Sequence, residues 1–271
     1  MSLIQAMFLG VLQALAEFLP ISSSGHLILV PALLGWPDQG LTLDVALHVG
    51  TAIALLAYFW RTWARLGQAV VEGLVDAKAR ALPEWRLAWL LVLGSIPGGV
   101  AGLLFEEQIE SSLRDPSQVA LLLVLFGLVL LVADRLGRQT RDLTSLTWRD
   151  ALVIGGAQAL ALAPGVSRSG ITLTAALASG FRRVDSARFS FLLGTPLILA
   201  AGLLQLVKLA RQGIPAGDAA VFVVGVGTSL IVGLAVIRWL LGYLGRHSVD
   251  VFVVYRVAAG IVLLIYFSLL H

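Results

Sequence analysis

Gln13-Ala14-Leu15-Ala16-Glu17-Phe18-Leu19-Pro20-Ile21-Ser22-Ser23-Ser24-Gly25-His26 is a polar island in a chain that is otherwise mostly hydrocarbon. A second island lies far downstream: Gln158-Ala159-Leu160-Ala161-Leu162-Ala163-Pro164-Gly165-Val166-Ser167-Arg168-Ser169-Gly170-Ile171-Thr172. The two align without a gap at an offset of 145 residues. Gln13, Ala14, Leu15 and Ala16 fall on Gln158, Ala159, Leu160 and Ala161. Ser22, Ser24 and Gly25 fall on Ser167, Ser169 and Gly170. The islands read as two copies of one element, brought together to make one site.

The surroundings decide the class. The chain has 271 residues, of which 58% are hydrophobic and only 13% charged, whereas soluble domains carry about 25% charged residues. Mean hydropathy is +0.92. Long unbroken apolar runs, rather than alternating ones, point to an all-α polytopic membrane protein and away from a β-barrel. The 19 basic residues cluster in a few short segments, as the positive-inside rule expects. They form no nucleic-acid-binding pattern. With no cysteine, disulfides, thiolate catalysis and Cys-ligated metals are excluded. The N-terminus lacks a basic n-region and a small-residue cleavage site, so its apolar start is expected to belong to the mature fold.

In order, residues 3–19 form a short apolar helix that Pro20 breaks. Ser22 to Gly25 can cap a new helix from about His26 to Leu34. Gly35-Trp36-Pro37-Asp38 then turns at an interface, with Trp36 at headgroup depth. Two short helices split by a polar break suit a re-entrant hairpin; the alternative is one ordinary span followed by a loop. Residues 42–60 make a full span, and 61–86, with Arg61, Arg65, Lys78, Arg80 and Arg86, a cytoplasmic loop. Residues 87–105 cross outward, with Pro97-Gly98-Gly99 kinking or thinning the helix. Glu106, Glu107, Glu110 and Asp115, against Arg114, mark the outside. Residues 118–133 return to the cytoplasm of Arg135, Arg138, Arg141 and Arg149. The second island, within 150–180, is followed by Arg182, Arg183 and Arg188. Basic loops on both flanks mean it need not cross. Spans at 189–209, 218–238 and 250–270 complete a tally of six spans and two hairpins. Three crossings between the hairpins invert the second copy, dividing a single membrane domain into repeats 1–134 and 135–271. Such repeats place a polar site near the midplane at their interface. Gly50-Thr51 resembles Gly194-Thr195 at an offset of 144 residues.

The islands carry the chemistry. Pro164 to Gly170 has the ingredients of an anion cradle, because glycine lets backbone approach closely and the amides of Ser169, Gly170 and Ile171 would open a helix. Arg168 adds a planar, permanently charged fork. The plainer reading is a capped helix with a snorkelling arginine, but an arginine at membrane depth is costly and usually functional. Glu17, in apolar surroundings, needs Arg168 or a divalent metal nearby. Gln13 lies one turn earlier on the same face, so the pair could hold Mg²⁺ or Ca²⁺ through oxygen. His26 follows Ser23 by three residues and shares its face on a helix starting there. It is a candidate base, acid or nucleophile. Ser23 is the candidate nucleophile or phosphate donor, while Ser22 and Ser24 suit capping equally well. Thr172 either bonds a phosphate oxygen or packs. Asp44 and His48 read as interfacial, Arg256 as snorkelling inward from the last span, and His247 as a loop residue.

At these islands the chain resembles the undecaprenyl-diphosphate phosphatases of the bacitracin-resistance family. That family carries (E/Q)-x-x-x-E, here Gln13 and Glu17, continuing as F-L-P-x-S-S-[ST]-G-H, here Phe18 to His26. It also carries P-G-x-S-R-S-x-x-T, here Pro164 to Thr172. Length, hydropathy and the Asp44–Thr51 region are similar too. The resemblance implies an inner-membrane hydrolase that converts undecaprenyl diphosphate to undecaprenyl phosphate and phosphate, recycling the cell-wall lipid carrier and conferring bacitracin resistance. It further implies Mg²⁺ or Ca²⁺ dependence. Ser23, His26, Glu17 and Arg168 would carry the reaction. Ser22, Ser24, Gly25, Ser167, Ser169, Gly170 and Thr172 would hold phosphate, with Glu17 and Gln13 on the metal. The prenyl tail would lie among membrane lipid, with the cavity opening to the periplasm; a homodimer is compatible with the sequence. The rival is a polyprenyl-lipid transporter or flippase, since broken helices in inverted repeats are equally a transporter design.

Overall fold

The computed structural model describes residues 1–36, 40–112, 115–212 and 219–270. Pro37, Asp38 and Arg114 lie outside the described residues, as do the side chains of Glu106, Glu107 and Glu110. Eleven α-helices are described. They are α1 Leu3–Phe18, α2 Ser23–Leu33, α3 Gly40–Tyr58, α4 Trp60–Val75, α5 Pro83–Ser112, α6 Pro116–Leu136, α7 Trp148–Ala159, α8 Arg168–Ala178, α9 Arg183–Gln212, α10 Ala219–Leu244 and α11 Asp250–Leu270. No strand occurs among the described residues beyond one isolated bridge, Arg141 to Phe181.

Helices α5, α6, α9, α10 and α11 contain stretches long and apolar enough to cross a membrane. A sixth span is available if α3 and α4, bent by 72°, count as one. The protein is thus a multi-pass, all-α membrane protein. Helices α1, α2, α7 and α8 are short. The start of α1 and the end of α2 are joined by Phe8 packing edge-on against Trp36. The start of α7 and the end of α8 are joined by Arg141, which donates to Asp150 at 2.6 Å and to the Ser179 carbonyl at 2.9 Å. In each pair the chain goes in and comes back, as a re-entrant hairpin requires.

Local chemistry sets these ends. Ser2 and Gln5 form a capping box at the start of α1, as do Thr147 and Asp150 at the start of α7. Pro20 holds Leu19 in extended backbone, ψ 144°, so α1 stops at Phe18. Helix α2 begins at Ser23, three residues before the expected start.

Two sequence expectations are corrected here. Residues 61–86 are not a loop but α4 plus a 3₁₀ turn at Ala77–Ala81. Helix α4 is amphipathic: Leu66, Ala69 and Gly73 face inward, while Trp60, Val71, Leu74 and Val75 are exposed. Its basic residues suggested a loop, yet Arg61 and Arg65 lie on the exposed side of this helix. Likewise Arg183 and Arg188 are not in a loop, because α9 begins at Arg183.

Packing is close because small residues meet backbone. Helix α1 lies on α10 and α7 on α5. A Cβ on Gly10 would stand 2.7 Å from the Gly225 carbonyl, and one on Gly155 would overlap the Gly94 carbonyl. Gly98, of the Pro97-Gly98-Gly99 run, is a thinned point: a Cβ there would come 3.0 Å from Leu197 and 3.2 Å from Gln158. The main apolar core includes Phe18, Phe59, Phe191 and Leu192. Phe18 packs edge-on against Phe191 at 5.5 Å, which fixes the end of α1 beside α9 and so fixes Glu17.

Candidate active site

The two breaks between short helices have the same backbone solution. Ser22 (φ 79°, ψ 96°) and Ser167 (φ 74°, ψ 115°) both occupy left-handed backbone, unusual outside glycine. Each caps the helix that follows, its Oγ accepting from the amide three residues on: Gly25 for Ser22, Gly170 for Ser167. The paired serines at 22/24 and 167/169 also keep corresponding hydroxyl contacts, 3.5 and 3.3 Å.

The breaks also bond to each other. Ser22 Oγ accepts from the Gly165 amide at 3.1 Å, and Ser169 Oγ donates to the Leu19 carbonyl at 3.2 Å. Arg256 completes the junction from α11. It is fully buried and donates to the carbonyls of Leu123, Pro20, Gly165 and Val166 at 2.9–3.1 Å. Among the described residues it makes no ion pair. The snorkelling expected of Arg256 is therefore corrected: the guanidinium points inward and clamps both breaks.

Across this junction Arg168 Nη2 donates to Glu17 Oε1 at 2.7 Å. Both are largely buried, at 14% and 5% side-chain exposure, so the pair is shielded from the solvent that weakens surface ion pairs. Ser23 Oγ donates to Glu17 Oε2 at 2.5 Å, and Gln13 Nε2 to the same oxygen at 3.3 Å. Glu17, Arg168, Ser23 and Gln13 are thus one cluster drawn from α1, α2 and α8. Ser23 and Ser24 are half-buried, while Ser22 is sealed.

Arg168 is placed with care. Its Nη1 donates to the Ser190 carbonyl at 3.4 Å, and it passes over Gly194, where a Cβ would sit inside the guanidinium. Gly50, aligned with Gly194 in sequence, serves otherwise: a Cβ there would meet the Val226 carbonyl of α10 at 2.6 Å. Thr172 is fully buried behind Arg168, donating to the Arg168 carbonyl at 2.8 Å and pairing with Ser190 Oγ at 2.6 Å. In this arrangement its hydroxyl ties α8 to α9. Gly170 N and Ile171 N go to Ser167 Oγ and O, so these two amides serve the cap.

His26 does not join the cluster as drawn. Nδ1 lies 2.8 Å from the Ser22 carbonyl and Nε2 2.6 Å from Tyr255 Oη. A carbonyl only accepts, so Nδ1 carries the proton and Nε2 accepts from the phenol. The ring stacks on Tyr255 and secures the first turn of α2.

Sequence reading named His48, Arg256 and Gly194 without their roles at this site, and passed over Tyr255 and Ser190. His48, expected to be interfacial, stands with Nε2 3.5 Å from Glu17 Oε2. The available signal was its place in the same Asp44–Thr51 stretch that matches the family. Among the described residues, Gln13 Oε1 is buried with no hydrogen-bond partner, as are both amide atoms of Gln158.

Residues 6–262 match the family model described as bacitracin resistance protein BacA. The chain is 47% identical over 275 residues to a protein of Thermomicrobium roseum named undecaprenyl-diphosphatase, covering 99% of each. It is 48% identical to proteins of the same name from Trichlorobacter lovleyi (262 residues, 96% of each) and Geobacter sulfurreducens (267 residues, 98% of each).

Proposed function

The chain belongs to the bacitracin resistance protein BacA family, and from that premise we propose that it hydrolyses undecaprenyl diphosphate to undecaprenyl phosphate and inorganic phosphate. The observation that carries the chemistry is the Arg168–Glu17 contact at 2.7 Å, with Ser23 on the same carboxylate. Phosphoryl transfer needs positioning and charge stabilisation above all, and this cluster offers a cation, a base and a hydroxyl together. The names of the relatives favour hydrolysis over the lipid-transporter reading.

In the mechanism proposed, Arg168 exchanges Glu17 for oxygens of the terminal phosphoryl group and stabilises charge developing there. Ser23 Oγ attacks the terminal phosphorus while its proton passes to Glu17 Oε2. The bond to the bridging oxygen breaks, and undecaprenyl phosphate leaves with that oxygen. Water then attacks the phosphoserine, Glu17 returns its proton to Ser23 Oγ as the P–O bond breaks, and the protons of the water stay on the phosphate released. The alternative is direct attack by water with Glu17 as base. His26, engaged at both nitrogens, holds α2 instead. Ser22, Ser24, Ser167 and Ser169, with Gly25 and Gly170, shape the two turns around the phosphate.

Mg²⁺ or Ca²⁺ would be held by Glu17 with Gln13, whose partnerless buried Oε1 is a free oxygen donor; when bound, the ion would neutralise diphosphate charge. Among the described residues no three His, Asp or Glu side chains gather for a metal, so substrate oxygens and water would have to supply the remaining ligands, as is usual for Mg²⁺. We read residues 1–134 and 135–271 as inverted repeats. The 145-residue offset and the matched caps at Ser22 and Ser167 support that reading. The location proposed is the bacterial inner membrane, with the prenyl tail among lipid between spans and the cavity facing the periplasm.

Ser23→Ala tests the role of the hydroxyl. Phosphate release from a polyprenyl diphosphate by the purified protein should fall at least about a hundredfold. Activity kept at the wild-type level would reduce Ser23 to a capping residue. For orientation, Ser24→Cys in intact cells should react with an impermeant thiol reagent added outside. Labelling only from the cytoplasmic side would contradict the periplasmic opening.

A further inference from the structure

His48 sits on α3, outside both islands, yet its ring faces the cluster. Its Nδ1 is 2.7 Å from the Asp44 carbonyl one turn earlier. That oxygen only accepts, so Nδ1 donates to it and Nε2 is the nitrogen turned toward the cluster. What it faces, at 3.5 Å, is Glu17 Oε2, which also accepts from Ser23 Oγ and Gln13 Nε2. With a proton on Nε2 the two form an ion pair, and a divalent cation that displaces that proton is shared by both atoms. Ligands about 2.1 Å from a shared ion stand about 3.0–3.4 Å apart for octahedral to tetrahedral angles, close to the separation seen. A third donor is at hand in Gln13 Oε1, fully buried and without a partner, on a side chain that already touches Glu17 Oε2 through its nitrogen.

We propose that His48 Nε2 is a ligand of the divalent cation of this site, making a mixed nitrogen–oxygen set of His48, Glu17 and Gln13. This rests on the reading of Glu17 and Gln13 as cation ligands given above. The Asp44 carbonyl orients the imidazole from behind, as outer partners of metal-bound histidines do. An imidazole donor sets the preference among cations. Ca²⁺ and Mg²⁺ take oxygen ligands, while imidazole favours first-row transition ions. The site should therefore prefer Mn²⁺ or Co²⁺ to Ca²⁺. The side chain of His48 is 29% exposed, which leaves it reachable by an ion.

The test uses metal-stripped, tag-free, full-length protein in detergent, titrated with Mn²⁺ and read by pulsed EPR. The wild type should show ¹⁴N coupling of an imidazole, converted to a ¹⁵N pattern by ¹⁵N-histidine labelling. His48→Gln should lose that coupling and bind Mn²⁺ about tenfold more weakly, with Ca²⁺ affinity changed less. Bound Mn²⁺ with no nitrogen coupling in the wild type overturns the assignment of His48 without needing any variant. Coupling that persists in His48→Gln overturns it equally. Glu17→Gln addresses the underlying reading. Lost Mn²⁺ binding supports it, and unchanged binding overturns it together with the inference.

Discussion

Arg168→Ala should lower the turnover of a polyprenyl diphosphate by about 10³- to 10⁵-fold, the range seen when a transition-state arginine is removed from phosphoryl-transfer enzymes. The guanidinium is the permanent positive charge within 2.7 Å of Glu17, and no other part of the cluster can replace its planar fork. Arg168→Lys should recover little, because an ammonium on a flexible stem cannot span Glu17 and the Ser190 carbonyl as the guanidinium does. One complication is that Glu17 would be left buried and unpaired, which costs about 3–5 kcal/mol when a buried pair is broken from one side. The double variant Arg168→Ala/Glu17→Gln removes that unpaired charge. It should melt closer to the wild type than Arg168→Ala while remaining inactive. Phosphate release near the wild-type rate in either variant would overturn the role given to Arg168.

Arg256→Met should bring the largest loss of stability from a single substitution. Four carbonyls from three segments, Leu123, Pro20 and Gly165–Val166, lose their donor in a sealed interior. A buried polar group left unpaired costs about 1–3 kcal/mol, and several are involved, so the loss should be on the order of 3–5 kcal/mol or more. Thermal unfolding in detergent, followed by size-exclusion chromatography, checks it: a sharply lower melting temperature or no folded peak is expected. Activity should fall with it, since the clamped segments carry Ser22–Ser23 and Ser167–Arg168. Arg256→Lys should fall between, with donors enough but reach for only part of the set. A melting curve superimposable on the wild type for Arg256→Met would show the clamp to be dispensable.

Much of this was legible in the chain before its shape was known. The apolar runs that become α5, α6, α9, α10 and α11 are long, and period and hydropathy suffice to find them. The islands announced themselves by aligning Gln13 to Gly25 with Gln158 to Gly170, and Glu17 did meet Arg168. What escaped was of two kinds. Helix α4 has a polar face as prominent as its apolar one, so its arginines outweighed the inward spacing of Leu66, Ala69 and Gly73. His48, Arg256 and Tyr255 are single polar residues inside apolar helices. Nothing local tells whether such a residue looks toward lipid headgroups or into the protein. That depends on rotation about the helix axis, which packing between distant segments sets. The left-handed turns at Ser22 and Ser167 were hidden for a similar reason, because serine there is held by its surroundings rather than by its own preference.

Every oxygen that Arg256 holds belongs to the main chain, and main-chain oxygens are the same whatever residue bears them. The clamp itself therefore asks nothing of the Pro20 and Val166 side chains, whose identities are set by the turn and by packing instead. At position 256 it asks for the guanidinium itself, so its demands fall unevenly on the two ends of one contact.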